Sequence, residues 1–141
     1  TELTSVPAND DVLMVVDVSD TTGSTTGTSK KIDYKQLFAH TITTITSSTH
    51  TFDITNANAF IVGSPSSGSQ TLTIPTNTAV SFDIGTEIRI FRNKATDLTI
   101  SPDGGVNLVS QGGLTDISPR YGVATLVKLN TNLWIMYGDL A

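Results

Sequence analysis

QTLTIPTNTAVSFDIGTEIRIFRN, residues Gln70–Asn93, is the stretch that decides the fold class of this chain. Polar and apolar residues alternate through Thr71–Ile74, through Ser81–Ile84 and again through Glu87–Ile90. A period of two places every second side chain on the same face of a sheet, so each run predicts a strand with one buried face and one solvated face. The proline, asparagine and glycine residues between the runs are typical of loops. The stretch therefore predicts several short strands, and it holds no group of residues suited to catalysis.

The composition limits the size and class of the fold and the kinds of partner that the chain can bind. A chain of 141 residues suffices for one domain, or one domain with a small appendage. Only 15% of the residues are charged and 38% are hydrophobic; threonine and serine fill much of the difference, and threonine favours strands. The net charge of −5, with few clustered lysines, argues against a nucleic-acid surface. No cysteine is present for disulfide or thiolate chemistry, and no apolar run reaches the roughly 18 residues that span a membrane.

The N-terminal segment predicts an arm followed by a strand. Residues 1–9 lack periodicity and are interpreted as an extended arm. Val12–Val18 is almost continuously apolar and rich in β-branched residues, which is typical of a strand covered on both faces. Three apolar residues of the arm are its candidate contacts to a partner: Leu3, Val6 and Pro7.

One short helix is predicted, in Lys30–His40. Asp33 is suited to cap its N-terminus, and Gln36 stands three positions later, as in a capping box. The threonine-rich segment that follows has poor helix propensity, so the helix is expected to last roughly two turns. Residues 1–46 are therefore predicted to form an arm with a strand–loop–helix module of their own.

Residues 47–141 are predicted to form a single β-domain. Short strands are expected at Leu98–Ile100 and Val106–Val109, and a hairpin is expected from Val123–Leu129 and Leu133–Tyr137. Strands that recur about every 8–12 residues with turn residues between them are typical of a sandwich or barrel. The predicted fold is mainly β: an antiparallel sandwich or barrel preceded by the small N-terminal module.

Two segments resemble modules of tailed-bacteriophage structural proteins. The opening Leu-x-x-x-Pro-Ala-x-Asp-Asp, an apolar strand, a Gly/Thr loop and a closing Lys-Lys-Ile with a short helix lie within Glu2–Leu37. The second half is similar to phage β-modules that contain TLTIP-x-N, GT-x-I-x-I, a Gly-Gly turn and a W-x-x-x-G hairpin. These motifs stand at Thr71–Asn77, Gly85–Ile90, Gly104-Gly105 and Trp134–Gly138.

The resemblance implies a virion protein without a catalytic residue or a cofactor, usually trimeric, located on the capsid surface or in a tail fibre. A compact chain with an arm suits a capsid decoration, or cement, protein that forms a homotrimer on the major capsid protein shell. The alternative is a tail-fibre or receptor-binding module that contacts a host-surface glycan through Trp134, Tyr121 or Tyr137. A polysaccharide hydrolase lacks the paired carboxylates that it needs here, and a small bacterial adhesin remains open from the residues alone.

The candidate binding residues each have an ordinary structural interpretation beside the functional one. Arg89, Arg92 and Arg120 are candidates for ion pairs with a neighbouring subunit or the shell, and otherwise belong to a solvated surface. Trp134 is a candidate partner contact, although packing in the core is the commoner role of a tryptophan. His50 with Asp53 forms too small a set to favour a metal ion over a surface histidine. No metal or cofactor is therefore expected.

Overall fold

The computed structural model describes residues 12–20, 22–23, 25–33 and 40–141, and the chain divides into two compact units, residues 1–39 and 40–141. In the first, β1 (Val12–Asp17) and β2 (Thr28–Asp33) form an antiparallel hairpin. A hydrogen bond from Lys30 to the Asp20 carboxylate lowers the pKa of Asp20 to about 2.

The hairpin differs from the predicted module in two respects. Lys30–Asp33, the segment that ends at the predicted N-cap Asp33, belongs to β2 and pairs in register with β1, so the module has a second strand that was not predicted. The strand predicted in Val12–Val18 is present, but alternate side chains on one of its faces are exposed, and Val18 reaches 75% exposure. The rest of the predicted helix and the predicted arm lie outside the described residues.

The second unit contains two sheets. The six-stranded sheet has the order β3-β5-β7-β11-β12-β9, and the four-stranded sheet has the order β10-β8-β6-β4. The strands are β3 (Ile42–Ile45), β4 (Thr49–Thr51), β5 (Phe60–Gly63), β6 (Gln70–Ile74), β7 (Glu87–Arg92), β8 (Leu98–Pro102), β9 (Asn107–Ser110), β10 (Asp116–Ile117), β11 (Val123–Asn130) and β12 (Leu133–Gly138). Short 3-10 turns lie at Ile54–Asn56 and Gln111–Gly113.

The first six strands of this unit alternate between the sheets, so the chain winds in coils. In the six-stranded sheet β3, β5 and β7 run parallel, and in the four-stranded sheet β4, β6 and β8 run parallel. The mainly β class is confirmed, but the arrangement is solenoid-like rather than an antiparallel sandwich or barrel. Strand spacing along the chain failed to reveal this, because a period of two is the same for parallel and antiparallel neighbours.

The last strands complete the six-stranded sheet. The predicted C-terminal hairpin is confirmed: β11 and β12 pair antiparallel, with a register shift between Lys128 and Asn130. β11 also pairs antiparallel with β7, and β12 pairs parallel with β9. As a result β12, the final strand, lies between two strands that precede it in the sequence.

The core of this unit lies between the inward faces of the two sheets. Its buried apolar side chains are Ile45, Phe52, Ala59, Ile61, Leu72, Ile74, Phe82, Ile88, Ile90, Leu98, Ile100, Ile117, Ala124, Leu126, Trp134 and Met136. Gly63 is required here by space, because an added Cβ would lie 2.2 Å from Leu98 Cδ1. Gln70, also buried, donates from Nε2 to the carbonyls of Ile45 and Ser47 and thereby links two successive coils.

The strand predicted at Ser81–Ile84 is wrong; this segment is part of the connection between β6 and β7. Phe82 packs edge-on against Trp134 with ring centroids 5.5 Å apart, while Ile84 is 68% exposed. Lys128, buried at the end of the core, donates to the Phe82 carbonyl over 2.6 Å and to Asn77. Burial lowers the pKa of Lys128. The buried ammonium group thus binds the Phe82 carbonyl, an acceptor that a strand ladder would otherwise use.

Candidate interaction surface

The outward face of the six-stranded sheet, called the outer face below, is largely apolar. Its side chains alternate with those that point into the core, and cross-strand register aligns them in rows. Ile42 is 72% exposed, and most of the others are half-buried by their neighbours. The apolar members are Ile42, Phe60, Val62, Phe91, Val109, Val123, Val127, Leu133, Ile135 and Tyr137, and the polar members include Thr44, Glu87, Arg89 and Thr125.

The outward face of the four-stranded sheet, called the hydroxyl face, has different chemistry. In the register of β4, β6 and β8, Thr49, Thr71 and Thr99 form one row, and Thr51, Thr73 and Ser101 form another. Thr99 Oγ1 donates to Asp116 on β10 over 2.5 Å. Hydroxyl groups interact well with water, so this face needs no covering protein.

Two charged side chains interrupt the apolar character of the outer face. Glu87 is exposed and Arg89 is half-buried, and both project from β7 toward the same side. Arg89 lies in a row between Phe60 of β5 and Thr125 of β11. A charge of each sign therefore lies on the central part of this face.

A histidine holds Arg89 in place. Arg89 Nη2 lies 2.8 Å from His40 Nε2, and His40 Nδ1 lies 2.9 Å from the Asn58 carbonyl oxygen. Because a guanidinium group only donates, Nε2 must accept, and the proton of the neutral ring must then be on Nδ1 and be donated to Asn58. Asn58 also accepts from the Glu87 amide through its side chain over 3.1 Å. One asparagine thus joins His40 to the strand that carries both charges.

An aromatic pair lies at one end of the outer face. Phe91 and Tyr121 are nearly parallel, at 14°, with centroids 6.0 Å apart, and the Arg120 guanidinium carbon lies 4.5 Å from the Tyr121 centroid. Tyr121 has φ 71° and is 57% exposed. Its amide donates to the Arg92 carbonyl over 2.8 Å, which holds this uncommon backbone conformation.

The candidate binding residues predicted from the sequence divide into three groups. Arg89 and Arg120 lie on or beside the outer face. Arg92 and Trp134 are buried, at 7% and 2% exposure, so in this fold neither presents its side chain to a partner. Arg92 instead donates to the carbonyls of Lys94, Ala95 and Ile117 and to Asp97. The remaining candidates, Leu3, Val6 and Pro7, lie outside the described residues.

The apolar members of the outer face were not among the predicted binding residues. A signal for them exists in the sequence: Phe60–Val62 and the pair Ile90 and Phe91 carry apolar side chains at adjacent positions, so both faces of each strand are apolar there. Consecutive apolar residues in a strand indicate covering on both sides. In this protein the signal points to the outer face, whose side chains are exposed or half-buried in the described residues.

Among the described residues, no group of three or more histidine, cysteine or acidic side chains is arranged to hold a metal ion. His50 Nε2 lies 3.1 Å from the Asn56 side-chain oxygen, and Asp53 caps the turn at Thr55. In the same part of the chain, no helix is long and apolar enough to cross a membrane. The chain matches no model of a known protein family and no curated protein sequence.

Proposed function

We propose that this protein is a non-enzymatic structural subunit that associates with further copies of itself through the outer face. The observation that carries the proposal is the apolar character of that face on a sheet whose other side already covers a core. Six strands about 4.8 Å apart and four to eight residues long present roughly 500 Å² in projection, most of it from apolar side chains. The largest apolar patch on a typical monomer measures about 300–600 Å² and is often functional.

A second copy of the chain is the occupant that fits this face best. The face carries Glu87 and Arg89, so an opposed copy offers a positive group and a negative group to the same two side chains. A partner with a single sign of charge would satisfy only one of them. Self-association also suits a β-domain with a lean apolar content, which buries part of its apolar surface between subunits.

With the motifs that resemble phage modules, these features support a homotrimeric capsid decoration protein on the virion surface. In this proposal the trimer binds the major capsid protein shell, and many contacts of modest strength add up because each trimer engages several shell subunits at once. Strands covered on both sides would then occur only after assembly. The hydroxyl face would remain in water.

The alternative is a tail-fibre or receptor-binding module. Trp134 is buried and has no surface to offer a sugar, which leaves Tyr121 and Tyr137 as exposed aromatic residues for such a role in the described part of the chain. Tyr137 belongs to the outer face and would be covered by a second copy. A glycan site in an assembled protein would therefore depend on Tyr121 and Arg120.

The test has two measurements. Sedimentation equilibrium of the purified protein is expected to give the mass of three chains, and a monomer at micromolar concentration would contradict the proposal. Quantitative mass spectrometry of virions that contain this chain is expected to give a copy number close to that of the shell protein. A few copies per particle would favour the tail, and absence from particles would remove both virion roles.

A further inference from the structure

Glu87 and Arg89 both lack a salt-bridge partner among the described residues, although each lies next to apolar side chains. Residues two apart on a strand project from the same face, about 6.6 Å from each other along the strand. Glu87 is opposite Val127, in a row that continues to Ile135 and Val109. Arg89 has Phe60 and Thr125 beside it.

Covering this region would be costly if both charges stayed unpaired. An uncompensated charge taken out of water destabilises a complex by several kcal/mol, whereas a paired charge with good geometry does not. A partner that covers the apolar rows must therefore bring a cation to Glu87 and an anion to Arg89. The chain itself carries both groups at the spacing required.

We infer that Arg89 of one copy pairs with Glu87 of the neighbouring copy, so that these two side chains set the orientation in which copies associate. This inference rests on the self-association proposed above and adds the contact that selects one arrangement. Apolar rows slide past each other with little change in energy, whereas a charge pair is satisfied only at one offset. The two residues therefore act as an orientation key.

His40 is a positioning residue for this key. Its neutral ring accepts one hydrogen bond from Arg89 Nη2 and carries no negative charge, so it leaves the positive charge of the guanidinium group uncompensated. Asn58 fixes the ring through the carbonyl contact at 2.9 Å, and the same asparagine contacts the Glu87 amide. Both halves of the key are thus tied to one loop residue, which keeps their spacing constant.

Charge reversal and mixing test the inference. Glu87→Arg gives a face with two positive groups, and Arg89→Glu gives a face with two negative groups. Each variant alone is expected to associate at least about tenfold more weakly than the wild type, because like charges then meet. An equimolar mixture of the two is expected to recover part of the association, since two of the three interfaces in a mixed trimer join unlike copies and bring opposite charges together. Lys94→Glu, a charge reversal at an exposed position after β7, is the matched control and should associate like the wild type.

The outcomes separate this inference from the proposal that it rests on. Sedimentation velocity would follow association, and circular dichroism melting would verify that each variant folds. A wild type that remains monomeric overturns both proposals. A wild type that assembles while both single variants assemble equally well overturns the orientation key alone, and so does a mixture that stays as weak as its components. Weak single variants with partly restored association in the mixture establish the key.

Discussion

The outer face and the hydroxyl face are built on parallel strands of the same coils, yet they have opposite chemistry. On β6 the outward positions are Thr71 and Thr73, and on β5 they are Phe60 and Val62. Both strands present buried residues to the shared core. The difference teaches that a strand's inward pattern reports the core of its own chain, whereas its outward pattern reports what covers the sheet from outside.

The largest effect is expected from truncating a large side chain in the core between the two sheets. Trp134→Ala should lower the free energy of unfolding by about 3–5 kcal/mol, because it leaves a cavity against Phe82 in the core. Urea denaturation of the isolated protein would measure this loss. A variant with unchanged stability that only fails to associate would contradict the core assignment and restore Trp134 as a partner contact.

The second largest effect is expected from a charge placed on the outer face, compared with the same charge placed on the hydroxyl face. Ile135→Glu places a carboxylate on the outer face beside Val127 and leaves the core side of β12 unchanged. Association is expected to weaken by at least about 100-fold, because an unpaired buried charge costs on the order of 3 kcal/mol. Thr73→Glu is the matched control on the hydroxyl face. Sedimentation velocity should show wild-type association for that control, and equal losses in the two variants would refute the contrast between the faces.

Loss of the hydrogen bond between His40 and Arg89 is expected to give the smallest of the three effects. His40→Ala removes the ring nitrogen that accepts from Arg89 Nη2 and leaves the guanidinium group without this support. Association is expected to weaken by up to about tenfold, since a hydrogen bond to a charged group contributes about 1.5 kcal/mol.

His40→Gln is the matched control, because an amide oxygen can accept from Arg89 in place of the ring nitrogen. Sedimentation velocity should show association close to the wild type for the glutamine variant and weaker association for the alanine variant. If the alanine variant associates as strongly as the wild type, the role given to His40 is wrong.

The sequence was sufficient for the β class and for many individual strands, because period two depends on local pattern alone. The hairpin of β11 and β12 was predictable since its two strands are adjacent in the chain and joined by a tight turn. The parallel coils were not predictable in this way. Each coil pairs strands separated by another strand and two connections, and no residue type marks that choice.

Two predictions about individual residues were wrong for a related reason. Arg92 has the same charge as Arg89 and lies on the same strand, so composition gave both the same role. The odd spacing between them sends Arg92 into the interior, where backbone carbonyls surround it. Ser81–Ile84 alternates like a strand, but the Lys128 ammonium group holds the Phe82 carbonyl instead. Each correction involves at least one partner more than 20 residues away in the sequence, Ile117 for Arg92 and Lys128 for Phe82.

The position of β12 also sets the order of events during protein synthesis. Leu133–Gly138 lies between β11 and β9, so β9 has no neighbour in this sheet until β12 has left the ribosome. Ile135 and Tyr137 arrive with β12, and the outer face is incomplete before that strand docks. A nascent chain that ends before β12 therefore lacks part of the surface through which we propose that copies associate. Under that proposal, association waits until β12 has been translated.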